Sequence, residues 1–494
     1  MEGFDYGRLR FRRQYLLSRS SFEIPFQHHS TSLPNQYRLD YHIDLKFTEV
    51  VSGKNRIILL GDVYDWFVPE WDNHQILKGC IGLPFNDLID KFIKFSGRFV
   101  VIVIQEDSIR IFHDFSSSRK IYYTNLGGHI SCSSNPHLLA RVLDISPTKD
   151  PSLLRYYQSD YFRKNLCANV GDLTYYDEIK QLKAHFHLNI ITEETQRYWP
   201  VILERGTEES CAVESARIIH GFLLAADARY PLMIPVTSGY DSRVILAASK
   251  DIREKPLFYL NTDDSLRESQ DFMIPQKMLA GVGLELFEFD LEQEADEQFR
   301  NIYYDNNPFA NTEFLDIIYN YWKHHPEKLN LPGNTLPVVE VLQNSYRKVP
   351  RAKDIARSYN LGTYEFAIKY FEKWLEEAVD ACKAAEMNLY NLLFLEERNS
   401  NWSTQLQQDK DIAQEELVIF NSGYLISLLL TYDERRRNKP FKELHKDLVK
   451  YLWPELLNYP YNPSLKTRVL KIIARMGLLT PIMQLKRDLI GMYR

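Results

Sequence analysis

Apolar and polar positions follow two different rhythms along this chain, and the change falls near residue 205. Before it, short β-branched runs dominate. Residues 41–47 and 56–61 are strand-like, and Phe95-Ser96-Gly97-Arg98-Phe99-Val100-Val101-Ile102-Val103-Ile104 predicts a long strand. Gln105-Glu106-Asp107 then leads into Ile109-Arg110-Ile111-Phe112, which predicts a hairpin. Residues 73–80 and 84–95 switch to helical spacing, the second with Leu88, Ile89, Phe92 and Ile93 on one face. Residues 130–134 form a further strand pattern, and a helix follows through Leu138 and Leu139. Residues 1–40 are aromatic, basic and irregular, and Arg8, Arg10, Arg12 and Arg13 are expected on a surface strand edge. This half reads as a layered α+β domain.

Residues 201–212 read as a linker. Beyond them Ala216, Ile219, Phe222, Leu223 and Ala226 make one stripe of a helix spanning 213–229. Apolar runs at 232–236, 257–260, 285–289 and 329–331 then alternate with helical patterns. That order predicts an open parallel sheet with ligands at the carboxyl ends of its strands. From about 346 the chain is strongly helical, and Phe366, Tyr370, Phe371, Trp374, Leu375, Ala378 and Val379 form a wide apolar face expected in the core. The expected domains are 1–204 and 205–494, with 345–494 mostly helical.

The chemistry concentrates in Val236-Thr237-Ser238-Gly239-Tyr240-Asp241-Ser242-Arg243. Small residues between a buried strand and a helix allow a sharp turn and close approach of a ligand to the backbone. The helix start would aim free N–H groups at an oxyanion, most plausibly a phosphate. The plainer reading is a turn in which Asp241 or Ser242 only caps the helix. No Lys follows Gly239 at the spacing of a Walker A loop. The stretch resembles the S-G-G-x-D-S signature of the PP-loop ATP pyrophosphatases, in the form used by asparagine synthetase. Thr237 replaces the first Ser and Ser238 the first Gly, while Gly239, Asp241 and Ser242 match. That family cleaves ATP between its α- and β-phosphates and adenylates its substrate.

Other segments resemble the same family. "SGRFVVIVIQEDSIRIFHD", "SSSRKIYY", "ISCSSNPHLLA", "GDLTYYDEIKQL" and "RYWP" fall where asparagine synthetase carries its class II glutamine amidotransferase domain, over residues 38–200. The resemblance implies an Ntn-hydrolase-like sandwich followed by an adenine-nucleotide α-hydrolase-like sheet. The family's nucleophile is an N-terminal Cys, whereas Glu2 stands here and the first Cys is Cys80. That family attacks the glutamine carboxamide with its thiolate, so the resemblance implies a fold kept without its glutaminase. At the fourth strand end the family has S-G-E-G-S-D-E. This chain has Pro332-Gly333-Asn334-Thr335-Leu336-Pro337-Val338-Val339-Glu340, in which Gly333 matches and Glu340 stands several residues away as the substitute acid. Within residues 411–430, Glu415 and Phe420 match the segment E-x-R-x-P-F-L-D and Leu417 stands at its Arg. "LWPELLNYPYNP" fits a tail found in asparagine-synthetase-like proteins of biosynthetic clusters.

Composition narrows the classes. The chain has 494 residues, is 45% hydrophobic and carries a net charge of −6. Nothing there suggests nucleic acid, which wants a basic surface. No apolar run reaches the ~18 residues of a membrane helix, and the start lacks a signal peptide's apolar region. Five widely spaced cysteines without C-x-x-C point to a reducing cytoplasm and to no zinc site.

The expectation is therefore a cytoplasmic, AMP-forming amide ligase using ATP and Mg²⁺. Asp241 and Ser242 would be catalytic. Thr237, Ser238, Gly239, Tyr240, Arg243 and Gly333 would contact the nucleotide, and Asp241 and Glu340 would hold the metal. Asp271 is as plausibly a helix cap. A small-molecule or peptide carboxylate would be the substrate, with ammonia or an amine, free or supplied by a partner glutaminase, as the second partner. Two alternatives remain: an inactive homologue acting as a scaffold, and a tRNA-modifying PP-loop enzyme, which the acidic balance and absent paired cysteines disfavour.

Overall fold

The long run at residues 96–105 makes sense once its two faces are followed. In this computed structural model, which describes residues 5–164, 168–202, 205–262, 264–290, 293–340, 349–438 and 441–462, Ser96–Gln105 is an inner strand of a six-stranded antiparallel sheet. It pairs with Asn55–Tyr64 on one side and Ser108–His113 on the other. Phe99, Val101 and Val103 enter one hydrophobic cluster, and Val100, Ile102 and Ile104 enter another. Because both faces are buried, alternation disappears from the sequence. The second cluster is shared with another six-stranded antiparallel sheet, which includes Tyr122–Leu126, His129–Ser133, Tyr15–Ser18 and Arg38–His42.

That second sheet corrects the reading of residues 1–40. Tyr15–Ser18 is an inner strand buried throughout, and His28–Ser32 is its neighbour's partner. The arginines before it are not all on a surface edge. Arg12 donates to the carbonyls of Ile412 and Ala413 at 3.0 and 2.9 Å, and buried Arg13 donates to that of Asp411 at 2.5 Å. Paired, inward-facing arginines around a four-residue strand hide its pattern.

The linker reading of 201–212 is also too long. A helix spans Glu208–Asp227, with Thr207 as N-cap accepting from the Ser210 amide. It packs so closely on the N-terminal half that a Cβ at Gly221 would stand 2.2 Å from the Trp66 carbonyl oxygen. One apolar cluster includes Tyr64, Phe112 and Trp199 together with Phe222, Val244, Phe371 and Leu448. The architecture changes near 205, but the core does not stop there.

The expected parallel sheet is present, in the order Phe287–Asp290, Leu257–Thr262, Leu232–Pro235, Leu329–Asn330. Residues 415–417 run beside its last strand. The Asn330 amide donates to the Glu415 carbonyl at 3.1 Å, and the Leu417 amide to the Asn330 carbonyl at 2.9 Å. The Glu415 carboxylate meets Arg119 at 2.7 Å, Arg98 at 3.1 Å and Arg13 at 3.4 Å. Arg98 also holds Asp411 through two bonds of 2.6 and 2.9 Å. Glu415 thus ties the sheet edge to the N-terminal half. Burial raises its carboxyl pKa, but the three guanidinium groups outweigh burial and hold it at about 2.

Phe394–Ser403 is wound as a π-helix whose buried side chains, Leu395 apart, are polar. Glu396 accepts from the Trp374 indole at 2.7 Å and lies 3.1 Å from His185, beside Arg197. Glu397 accepts from the Tyr370 hydroxyl and, at 3.1 Å, from the Gly171 amide. With no ion pair on it among the described residues, burial pushes Glu397 up to about 8 from 4.5. Below the unfolded value both states are protonated and this stabilising term is complete. Between about pH 5 and 8 the unfolded chain ionises while the folded chain keeps its proton, so the term is lost as pH rises. Glu397→Gln is therefore expected to flatten the fall of melting temperature across that interval, measured against wild type in matched buffers. An unchanged slope contradicts the assignment.

Candidate functional site

The site forms where the parallel sheet changes direction. Leu232–Pro235 lies between Leu257–Thr262 and Leu329–Asn330, so the chain continues to one side and returns on the other. The loops leaving Leu232–Pro235 and the edge strand Leu329–Asn330 pack against each other, at the end of the sheet where ligands usually bind in such folds. After Leu232–Pro235 comes the 236–240 turn, then the helix Asp241–Ala248. The N-cap of that helix is Tyr240, which makes no side-chain cap bond. Neither Asp241 nor Ser242 is the capping residue, so the helix's first N–H groups face the turn without the side-chain oxygen that normally satisfies them.

The second loop presses against this helix start. A Cβ at Gly333 would stand 3.0 Å from Cβ of Asp241 and 3.3 Å from the Ser242 nitrogen, so a side chain there would push the loops apart. Thr335, two residues on, has φ of 71°, a left-handed conformation costly for a β-branched residue. Its hydroxyl is 3.3 Å from Asn399 and 3.4 Å from Ser116. The same segment carries Glu340, which meets Asp241 and the buried His445 from the helix Glu443–Leu452. His445 Nε2 lies 3.1 Å from Asp241 Oδ1 and 3.4 Å from Glu340 Oε1. Lys442 pairs with Glu340 and lies 4.3 Å from the centre of the Tyr240 ring.

The remaining expected residues divide. The Ser242 hydroxyl turns back into the loop, 2.8 Å from Thr237 Oγ1 and accepting from the Thr237 amide at 3.3 Å. The Gly239 amide donates to Thr237 Oγ1 at 3.2 Å. The Ser238 hydroxyl is buried against Asp271 and lies 3.0 Å from the Asn462 side-chain oxygen. Asp271 therefore serves the loop; the N-cap of its helix is Ser269. Arg243 departs furthest from its expected place. It is fully buried and donates to the carbonyls of Tyr459 and Pro460, both at 2.7 Å, with its guanidinium 3.7 Å from the Tyr461 ring centre. Those donors fix the chain that crosses the loop instead of reaching a ligand. Tyr240 is likewise buried, stacked on Tyr461 at 4.3 Å.

Sequence reasoning missed Lys442 and His445. One signal was available: His445 follows Leu444 in a helix whose Leu444, Leu448 and Val449 are all buried, so an ionisable group interrupts an apolar stripe. The described cysteines, Cys80, Cys132, Cys211 and Cys382, are free and buried. Burial pushes the Cys80 thiol up to about 11 and that of Cys382 up to about 12. Cys167 and Glu2 lie outside the described residues. Among the described residues no helix is long and apolar enough to cross a membrane.

No family model matches this chain, and no curated protein matches it. Among solved structures it is similar to glutamine phosphoribosylpyrophosphate (PRPP) amidotransferase from B. subtilis complexed with ADP and GMP. The identity is 8%, over 57% of this chain and 67% of that one, with a TM-score of 0.21. A likeness of that depth bears on neither family nor function.

Proposed function

We propose that this protein is an AMP-forming amide ligase of the asparagine synthetase type. One observation carries the reading: an uncapped helix start at the sheet's reversal point faces two carboxylates and two basic side chains. The N–H groups at the start of Asp241–Ala248 would bind phosphate oxygens. Lys442 would add a compact positive charge on the same side. Asp241 and Glu340 suit a divalent cation that keeps several waters and needs only one or two carboxylates. Such an ion, when bound, lowers the cost of negative charge on a departing pyrophosphate. In the reaction a substrate carboxylate oxygen attacks the α-phosphorus of ATP and pyrophosphate leaves. An amine or ammonia then attacks the acyl carbon and AMP leaves with the bonding pair.

The test is ATP–pyrophosphate exchange against a panel of carboxylates. Exchange dependent on one member supports the ligase. Absence of exchange across small acids, amino acids and peptides favours a scaffold. The scaffold reading has its own support, because the Asn462 amide donates to the Ser238 carbonyl at 3.2 Å and the 459–462 segment lies against the turn.

The nitrogen would come from outside the chain. Burial disfavours the thiolate at each described cysteine, and the thiolate is the form in which a cysteine attacks a carboxamide. Purified protein is therefore expected to release no glutamate from glutamine, with or without ATP. Glutamate release abolished by changing Cys80 contradicts this.

A further inference from the structure

We propose that His445 is itself a ligand of the cation held by Asp241 and Glu340, and that it makes the site one for a first-row transition-metal ion, Mn²⁺ foremost, over Mg²⁺. The proposal rests on the ligase reading only in placing a metal at Asp241. The histidine's spacing to each carboxylate is close to that of neighbouring ligands on one ion. In an octahedral site with bonds of about 2.1 Å, neighbouring ligand atoms are about 3.0 Å apart. His445 Nε2 is 3.1 Å from Asp241 Oδ1 and 3.4 Å from Glu340 Oε1, and all three donors lie within 4.8 Å of one another.

The ring is held for this task. His445 is fully buried, with the Tyr240 ring edge-on at 5.7 Å. Its Nδ1 is buried and meets no partner among the described residues, while Nε2 lies against the two carboxylates, so a cation between them would take the place of the Nε2 proton. Mg²⁺ prefers oxygen donors, whereas imidazole suits manganese, iron and zinc, so one nitrogen beside two carboxylates shifts the selection. Lys442 supplies the counter-charge of Glu340 in the metal-free protein. A bound ion would release that ammonium toward an incoming phosphate. The competing account is a cluster that neutralises itself, Lys442 on Glu340 and His445 on Asp241, and takes no metal.

The experiment uses the full chain and Mn²⁺ alone. Binding is followed by loss of the free-ion electron paramagnetic resonance signal, and coordination by electron spin echo modulation from ¹⁴N. The expected result is one Mn²⁺ per chain with ¹⁴N modulation, displaced by Mg²⁺ only at about tenfold higher concentration or more. His445→Gln should remove the modulation and weaken Mn²⁺ by at least about tenfold, the lower end of what even outer-shell partners contribute. The wild-type spectrum decides the matter even if that variant folds poorly. Mn²⁺ bound without ¹⁴N modulation overturns the proposal, and so does absence of Mn²⁺ binding. A nitrogen signature in protein that shows no pyrophosphate exchange leaves this proposal standing and removes the ligase; exchange without the signature does the reverse.

Discussion

Asp241→Asn is expected to lower ATP–pyrophosphate exchange by at least about a hundredfold while moving the melting temperature by only a few degrees. The activity loss follows from position. Asp241 opens the helix at the sheet's reversal point, with Gly333 packed on its Cβ and Glu340 and His445 against its carboxylate. Removing one preorganised group that stabilises developing charge commonly costs about 10²–10³ in rate, and loss of a metal ligand adds to that. The small stability change follows from the same geometry. The N-cap is Tyr240, so no cap is lost, and the Asp241 side chain is 29% exposed. A pair of that exposure contributes about 0–1 kcal/mol at most. Exchange and melting curves on the same preparation check both halves. Full activity with a large drop in stability would return Asp241 to a structural role.

Arg98→Met is expected to destabilise the protein by about 3–5 kcal/mol, the cost of stranding buried charge. Arg98 is 2% exposed and holds Asp411 through both terminal guanidinium nitrogens, with Glu415 as a further partner. The substitution leaves Asp411 without its bidentate partner and one fewer cation on Glu415. Since Glu415 lies beside the last parallel strand and is also held by Arg13 and Arg119, the damage should loosen the join between the two halves. Denaturant unfolding should show the midpoint fall, and the double variant Arg98→Met, Asp411→Asn should recover part of the loss because the two residues share one interaction. A single-variant change below about 1 kcal/mol would show that water reaches this cluster and screens it.

These residues also show what could be read in advance. The run 96–105 and the alternation after 205 carried the sheets, because continuous apolar strands and helical stripes are local patterns. The strand Tyr15–Ser18 was hidden, since four residues flanked by arginines carry no period, and buried Arg13 makes sense only against Asp411 and Glu415, about 400 positions away in the chain. At the site, Asp241, Gly333 and Glu340 could be named from two loop sequences, and the loops do meet. Lys442 and His445 could not, because their place follows from how the helix Glu443–Leu452 packs across the sheet end. Arg243 misled for the opposite reason: it is adjacent to the loop in sequence, yet helical geometry turns it toward 459–460.

The most direct measurement is the nucleotide product. Purified protein supplied with ATP, a divalent cation, an active carboxylate and ammonium should release AMP and pyrophosphate in equal amounts, in step with amide formation. Release of ADP and phosphate, or amide formed without AMP, would contradict the reading of the Asp241 site.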